Sequence, residues 1–279
     1  MSITVNTNMQ ALRIQSNLNS ATDKMNTSME RMASGSKINS AKDDAAGLAV
    51  STTLSKTISS SKVASDNVKM GQDLLSTAEG TLDVIMSNFI RVRDLTEQAA
   101  NGTYSSADRD AIAAEVNARI SQISTLATSA TFNGSSLFAG TAPTIQTGTT
   151  AAASDRLTLA SSIFAAVDVT AIDTELGAAI QAGVSATTAG FLTTIDTAIT
   201  GITTRQTAIG AAQNQLQAVA DGLEVQQTNL SSALSTIKDA DVAQESASYV
   251  QAQILQQASA SLLVQANSAP QIALTLIKG

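Results

Sequence analysis

The sequence predicts a mainly α fold: a long antiparallel helical bundle or coiled coil with a small β-hairpin in its middle region. Three observations predict it. Apolar residues recur on alternating three- and four-residue steps over two long stretches, which is the period of a helix face packed on other helices. Only two prolines interrupt 279 residues. The middle of the chain alone loses the helical period, and there Gly, Thr, Ser and Ala prevail.

The first strict stretch runs Val68, Gly71, Leu75, Ala78, Leu82, Ile85, Phe89, Val92. Leu54 and Ile58 begin the same helix, and Asn101-Gly102 ends it, with Gly suited to a left-handed C-terminal cap. Ser105 and Asp108 are spaced as a capping box that opens a second helix. Its stripe is Ile112, Val116, Ile120, Ile123 and Ala127. Residues 48–100 and 106–130 therefore read as a helical hairpin. From Phe132 to about Thr188 the period fails. Thr144–Thr147 and Arg156–Leu159 alternate over a few residues around a Gly/Thr/Ala loop and predict a β-hairpin, and Ile172–Ala182 predicts a short helix. Gly102, Gly134 and Gly140 read as turn glycines, none in a phosphate-binding pattern.

The longest element follows. Leu192, Ile195, Ile199, Ile202, Gln206, Ile209, Gln213, Leu216, Ala220, Leu223, Gln227, Leu230, Leu234 and Ile237 keep the same steps without a break. At the usual helical rise this stripe is about 70 Å long, and a stripe so narrow needs partner helices along its length. At one end of the chain Ala11, Leu18, Met25 and Met32 lie seven apart, with Ala21 and Met29 flanking the same face. At the other, residues 246–277 carry no charge at all, although Tyr249, Val250, Ile254, Leu255, Leu262, Leu263 and Val264 alternate with Gln and Asn. An exposed helix normally carries Lys and Glu. The segment is thus expected to be buried when the protein works. The N-terminal helix cannot cover all its faces, so self-association is the economical solution; a non-closing contact between identical subunits yields a helical filament. An intramolecular bundle seam and an interfacial membrane helix are the two other readings of such stripes.

Composition narrows the chemistry. There is no Cys, His or Trp, so disulfides, imidazole or thiolate metal sites and Ser–His or Cys–His nucleophiles are excluded. Carboxylate pairs and Lys remain available. Asp43-Asp44 is such a pair, but adjacent residues point to different sides, which suits a cap or ion pair better than an acid/base dyad. Arg91 and Arg93 read as solvated or interfacial charges. The net charge is -7 and no Lys/Arg cluster marks a nucleic-acid footprint. Aromatic content of 3% predicts thin helix–helix layers whose core is Ala, Ile, Leu and Val without rings. No run of 18 apolar residues predicts a membrane span, and Met1–Asn8 lacks the basic and apolar regions of a cleavable signal peptide. No cofactor is expected.

Longer words in the sequence are more specific. Val5-Asn-Thr-Asn8 opens the chain, followed by Ser28-Met-Glu-Arg-Met-Ala-Ser-Gly35 and Ile38-Asn-Ser-Ala-Lys-Asp-Asp-Ala-Ala-Gly-Leu-Ala49. Then come Ala78-Glu-Gly80, Arg91-Val-Arg-Asp-Leu95, Gln98-Ala-Ala-Asn101 and Thr131-Phe-Asn-Gly134. Ile237-Lys-Asp-Ala-Asp241, Ala252-Gln-Ile-Leu-Gln-Gln-Ala258 and Gln265-Ala-Asn267 stand near the C-terminus. Together these resemble bacterial flagellin over residues 1–140 and 190–279. The match departs at Ser36-Lys37, where Leu-Arg is usual, at Thr96-Glu97, where a small apolar pair is usual, and at Ile90, where Gln is usual.

The resemblance implies a minimal flagellin without large outer domains, exported through the flagellar type III apparatus and polymerised into the extracellular filament that drives swimming. It implies an inner core domain from residues 1–40 and 241–279, a helical bundle domain from 41–140 and 189–240, and a short variable segment with the hairpin at 141–188. The core interface is expected at Val5, Leu12, Leu18, Met25, Met32, Tyr249, Ile254, Leu255, Leu262 and Leu263. Implied partners are further copies of the chain, the export apparatus and a chaperone, the filament cap and hook-junction proteins. An innate immune Toll-like receptor is a further implied partner, through Arg91, Leu95 and Glu115. A hook–filament junction protein of the same superfamily is the alternative. Some flagellins carry a zinc peptidase in the middle region; that needs His ligands, which this chain lacks.

Overall fold

The computed structural model describes residues 7–150, 152–170, 172 and 185–278. Their order is α1 (Met9–Ser34), α2 (Ala45–Ala99), α3 (Ser106–Ser129), β1 (Thr131–Phe132), β2 (Ser135–Ser136), β3 (Thr144–Gln146), a 3-10 turn (Ala153–Asp155), β4 (Arg156–Thr158), α4 (Ser185–Lys238) and α5 (Val242–Lys278). The fold is mainly α, as the sequence predicts, and the expected helix bounds agree to within a few residues. Two compact units divide the chain: Met1–Ile58 with Asn229–Gly279, and Ser59–Thr228. The unit boundaries fall inside α2 and α4, whereas the sequence places its divisions at the connections near residues 40 and 240.

In the second unit, every residue of the predicted α2 seam from Val68 to Val92 is buried, and so is the whole α3 stripe. On α4, Ile195, Ile202, Ile209, Leu216 and Leu223 are buried at seven-residue intervals, with Ile199, Gln206, Gln213 and Ala220 half-buried between them. That is the signature of a helix presenting one narrow seam to its partners. The half-buried glutamines meet acids across the seam: Gln206 donates to Asp83 at 2.6 Å and Gln213 to Glu79 at 3.0 Å. With Gln72 on Gln217 and Arg93 on Asp196, these pairs run in opposite directions along the sequence, so α2 and α4 are antiparallel. Arg91 with Glu115 and Asn88 with Arg119 set α3 antiparallel to α2 in the same way.

The expectation of a core without rings is corrected. Phe89, Phe138, Phe164 and Phe191 are all buried in this unit. A low overall aromatic content does not dilute a core when the few rings are concentrated in one place. The Gly102 expectation is also corrected: α2 ends at Ala99, and among the described residues only Gly35, Gly134 and Gly140 are glycines with positive φ. The Ser105/Asp108 capping box is present in both directions, and the Ser105 hydroxyl, followed by its backbone N–H, holds the Asp108 carboxyl below its ordinary pKa.

The predicted hairpin is β3–β4, paired Thr144↔Thr158, Ile145↔Leu157 and Gln146↔Arg156. The smaller pair β1–β2 has no counterpart among the predicted strands. Its turn is Asn133-Gly134, both at positive φ (48° and 80°), the requirement of a two-residue hairpin loop. The predicted helix at 172–182 lies outside the described residues apart from Ile172, which is buried. Arg205 anchors the segment that precedes it, donating to the carbonyls of Ala165 (2.6 Å) and Ala166 (3.0 Å), and its burial lowers its pKa.

Gly71 explains how the hairpin sits on α2. A Cβ at this position would collide with the Ile145 side chain. A missing side chain here is what lets Ile145 bury. Gly71→Val is therefore expected to destabilise this unit by about 1–3 kcal/mol despite a better helix former, read from urea unfolding. Unchanged stability would remove this role.

Candidate assembly interface

The first unit is built on the pairing of α1 with α5. Asn8 caps α1, accepting from Ala11 N–H at 3.1 Å, and its amide donates to the Ala266 carbonyl at 2.9 Å. Further along, Gln256 donates to Thr22 (3.1 Å), Arg31 meets Glu245 (3.1 Å) and Ser246 donates to the Met32 sulfur (3.3 Å). The helices are antiparallel, residue 8 opposite 266 and residue 31 opposite 245.

The seam between them alternates in threes and fours. On α1 it is Ala11, Ile14, Leu18, Ala21, Met25, Ser28 and Met32; on α5 it is Tyr249, Ala252, Gln256, Ser259, Leu263 and Ala266. Small residues dominate at its best buried points, Ala21, Ser28, Ala252 and Ala266, so the two backbones come close. The placement of Met29 on this face is corrected: it is exposed, one helical step of about 100° from Ser28. Ser28 and Ile14, which complete the seam, were legible from the same spacing.

The predicted interface residues divide between two surfaces. Leu18, Met25, Met32, Tyr249 and Leu263 are half-buried in the seam. Leu12 (58% exposed), Ile254 (60%), Leu255 and Leu262 (55%) point away from it. Val5 lies outside the described residues. Exposed apolar residues of this unit beyond the predicted set are Met9, Met29, Val50, Val242, Val250 and Val264, the last 72% exposed. Val250, Ile254 and Leu255 line a hollow of about 570 Å³ on the outer side of α5 with Ser246, Ala247 and Gln251. The outer face of α1 instead carries Arg13, Asp23, Lys24 and Glu30, all exposed. The outer surface of α1 thus mixes charge with exposed Leu12 and Met29, whereas the outer face of α5 from residue 246 onward is apolar and uncharged.

The connections are tied together. Gly35, at φ 68°, ends α1 in the left-handed conformation, and its carbonyl accepts from Ala240 N–H at 2.9 Å. Lys37 N–H donates to the Lys238 carbonyl at 2.7 Å, and Lys37 Nζ to that of Thr236 at 3.0 Å. Ser36-Lys37, the departure from the family pattern, is therefore held by backbone pairing that tolerates varied side chains.

Asp43 and Asp44 serve as local caps. The Asp43 carboxylate accepts from Ser40 N–H (2.9 Å), Ser40 Oγ (3.0 Å) and Asn39 N–H (3.1 Å), while Asp44 accepts from Gly47 N–H (2.9 Å). The Ser40 N–H, then its hydroxyl, then the Asn39 N–H hold Asp43 below the ordinary carboxylate pKa. A depressed folded pKa means that the stability Asp43 contributes is present above the ordinary range and is lost as pH falls through the folded value. The protection factors of the Asn39 and Ser40 amides, their exchange taken relative to the intrinsic rate at each pH, are expected to fall on acidification in that window, and to be low at every pH in Asp43→Ala. Equal protection in the variant would remove Asp43 as the anchor.

In the second unit, Arg91 pairs with Glu115 at 3.2 Å, and Arg93 with Asp196 (2.8 Å) and Glu97 (3.5 Å). Both arginines are thus ion-paired rather than simply solvated. Asp196 raises the Arg93 pKa. Leu95 is 2% exposed, and Thr96 is buried with its hydroxyl donating to the Val92 carbonyl at 2.7 Å. Among the described residues no three acidic groups are placed to hold a metal ion, and no helix is long and apolar enough to cross a membrane.

Comparison with known proteins agrees with this architecture. The bacterial flagellin N-terminal helical region matches residues 5–143, and the bacterial flagellin C-terminal helical region matches residues 192–277. The chain is 33% identical to the flagellar filament 33 kDa core protein of Treponema phagedenis over 98% of this chain and 99% of that protein. It is 34% identical to a flagellin of Halalkalibacterium halodurans over 85% of this chain and 86% of that one. A solved structure described as a flagellar hook-associated protein from Vibrio parahaemolyticus shares the fold, with TM-score 0.62 over 71% of this chain and all of that one, at 18% identity. A helical core at both ends of the sequence, little between them, and full-length likeness to filament proteins have one reading: the chain belongs to the bacterial flagellin family.

Proposed function

We propose that this structural subunit of the bacterial flagellar filament polymerises by covering the outer face of α5 with neighbouring copies, its terminal segments gaining their full order as they are buried. The observation that carries the reading is the orientation of α5. Its pairing with α1 buries small residues best and leaves Val250, Ile254, Leu255, Leu262 and Val264 exposed on a helix without charge from 246 to 277. Such a face is stable only when other apolar surface meets it. A segment that folds on binding draws part of its ordering from the contacts made then.

The family is a structural one, and the reading assigns the chain no catalytic activity. Its place is extracellular, reached through the flagellar export apparatus, with a chaperone, the filament cap and hook-junction proteins as partners on the way. Recognition by an innate immune Toll-like receptor would use the exposed Arg91–Glu115 pair, with Leu95 supporting it from beneath.

The hook–filament junction reading rests on fold likeness alone. Electron microscopy of the purified chain after salting out separates the two: long filaments are expected, and a chain that stays monomeric or forms only short oligomers would favour the junction protein.

A further inference from the structure

The sequence holds two Asn-Gly dipeptides, Asn101-Gly102 and Asn133-Gly134, and the fold treats them differently. We propose that Asn101 is a built-in site of spontaneous deamidation, activated by its own loop, while Asn133 is held inert by its turn.

The chemistry needs a backbone nitrogen that can approach a side-chain amide carbon, and donors for the oxyanion that forms there. The Asn101 Oδ1 accepts two hydrogen bonds, from Thr103 N–H at 3.1 Å and from Thr103 Oγ1 at 3.0 Å. Both donors lie at the distance at which amide and hydroxyl groups stabilise a developing oxyanion. Residue 102 has no Cβ, so no side chain of its own shields its backbone nitrogen from the Asn101 amide carbon. The rest of the loop is fixed around the pair. Asn101 N–H donates to the Gln98 carbonyl (3.1 Å), Gln98 Nε2 to the Tyr104 hydroxyl (2.9 Å) and Arg109 Nη1 to the Tyr104 carbonyl (2.8 Å). Asn101 itself is exposed, so water and hydroxide reach it.

The steps balance without an oxidant. Hydroxide takes the Gly102 amide proton, and that nitrogen attacks the Asn101 Cγ. A C–N bond forms as negative charge collects on Oδ1, between the two Thr103 donors. The Cγ–Nδ2 bond then breaks, and ammonia leaves with a proton from water. Water opens the resulting succinimide at either carbonyl, giving aspartate or isoaspartate. At Asn133 the same attack would need rotation about the Cα–C bond of the residue, in a two-residue turn whose flanking residues are paired Thr131↔Ser136 and Phe132↔Ser135; the hairpin would have to open first.

Conversion places a negative charge just past the C-terminal end of α2, where the helix dipole disfavours it. The isoaspartate product also lengthens the backbone between α2 and α3 by one methylene. In a long-lived assembly this loop would record age.

The test incubates the intact, folded chain in mildly alkaline buffer and follows both sites by peptide mass mapping, beside the same chain unfolded in urea. Asn101 is expected to convert before Asn133, and faster in the folded chain than in urea. Thr103→Ala should slow it by roughly threefold to tenfold, the rate equivalent of one hydrogen bond, while Thr103→Ser retains the rate and Gly102→Ala suppresses it. Circular dichroism confirms that these loop variants fold. Conversion of Asn133 first, a folded rate at Asn101 below the urea rate, or an unchanged rate in Thr103→Ala would each overturn the proposal.

Discussion

A chain carrying both Ile254→Lys and Leu262→Lys is expected to keep its helix content and to form no filaments at concentrations where the unaltered chain polymerises. Both side chains point away from the α1–α5 seam, so neither change touches the intramolecular pairing. Lys is as good a helix former as the residues replaced. The loss falls on association. Burying one aliphatic side chain of this size contributes about 1.5–3 kcal/mol, and forcing a charge into the same contact adds to the cost. Each 1.4 kcal/mol is about tenfold in affinity, so the pair should raise the critical concentration by roughly 100-fold or more. Sedimentation and electron microscopy read the outcome against circular dichroism of the soluble fraction. Filaments at an unchanged critical concentration would show that the outer face of α5 is not where copies meet.

Phe89→Ala is expected to cost the second unit about 3–5 kcal/mol. Phe89 is among the largest fully buried side chains, on the α2 seam within the hydrophobic core, and its removal leaves a cavity the size of a ring. The neighbouring Ile90 is exposed, and Ile90→Ala should stay within about 0.5 kcal/mol. Urea unfolding of the two variants compares burial at adjacent positions of one helix. Similar losses from both would mean that the seam does not organise this unit.

The seams were legible because a helix that packs on helices repeats its apolar residues every three or four positions, and three such stripes kept that rule from end to end. What escaped was set by distance in sequence or by very short elements. Met29 looks like a seam residue because Met is apolar, while the true seam position beside it is Ser28, whose small size is what a close helix pair needs. The two-residue strands β1 and β2 have no alternation to read; only their Asn-Gly turn signals them. Gly102 suits a left-handed cap, but α2 ends without one, and Gly35 takes that conformation at the end of α1 instead. On the assembly face, the missing charge of residues 246–277 pointed to burial. Which of its apolar residues face α1 and which face outward depends on the register with α1, and that register is fixed by contacts such as Asn8 with Ala266, across 258 positions.

That span has a consequence for timing. A contact between residues so far apart closes a very long loop, and closure entropy grows with loop length. Folding of the stretch from Ser59 to Thr228, whose own core needs neither helix of the pair, shortens the effective loop before α1 and α5 meet. A chain delivered one end first therefore cannot zip this pair until the later helix has emerged. If that pair is the surface on which copies meet, as proposed, the capacity to join a polymer arrives last, after almost the whole chain is free to fold.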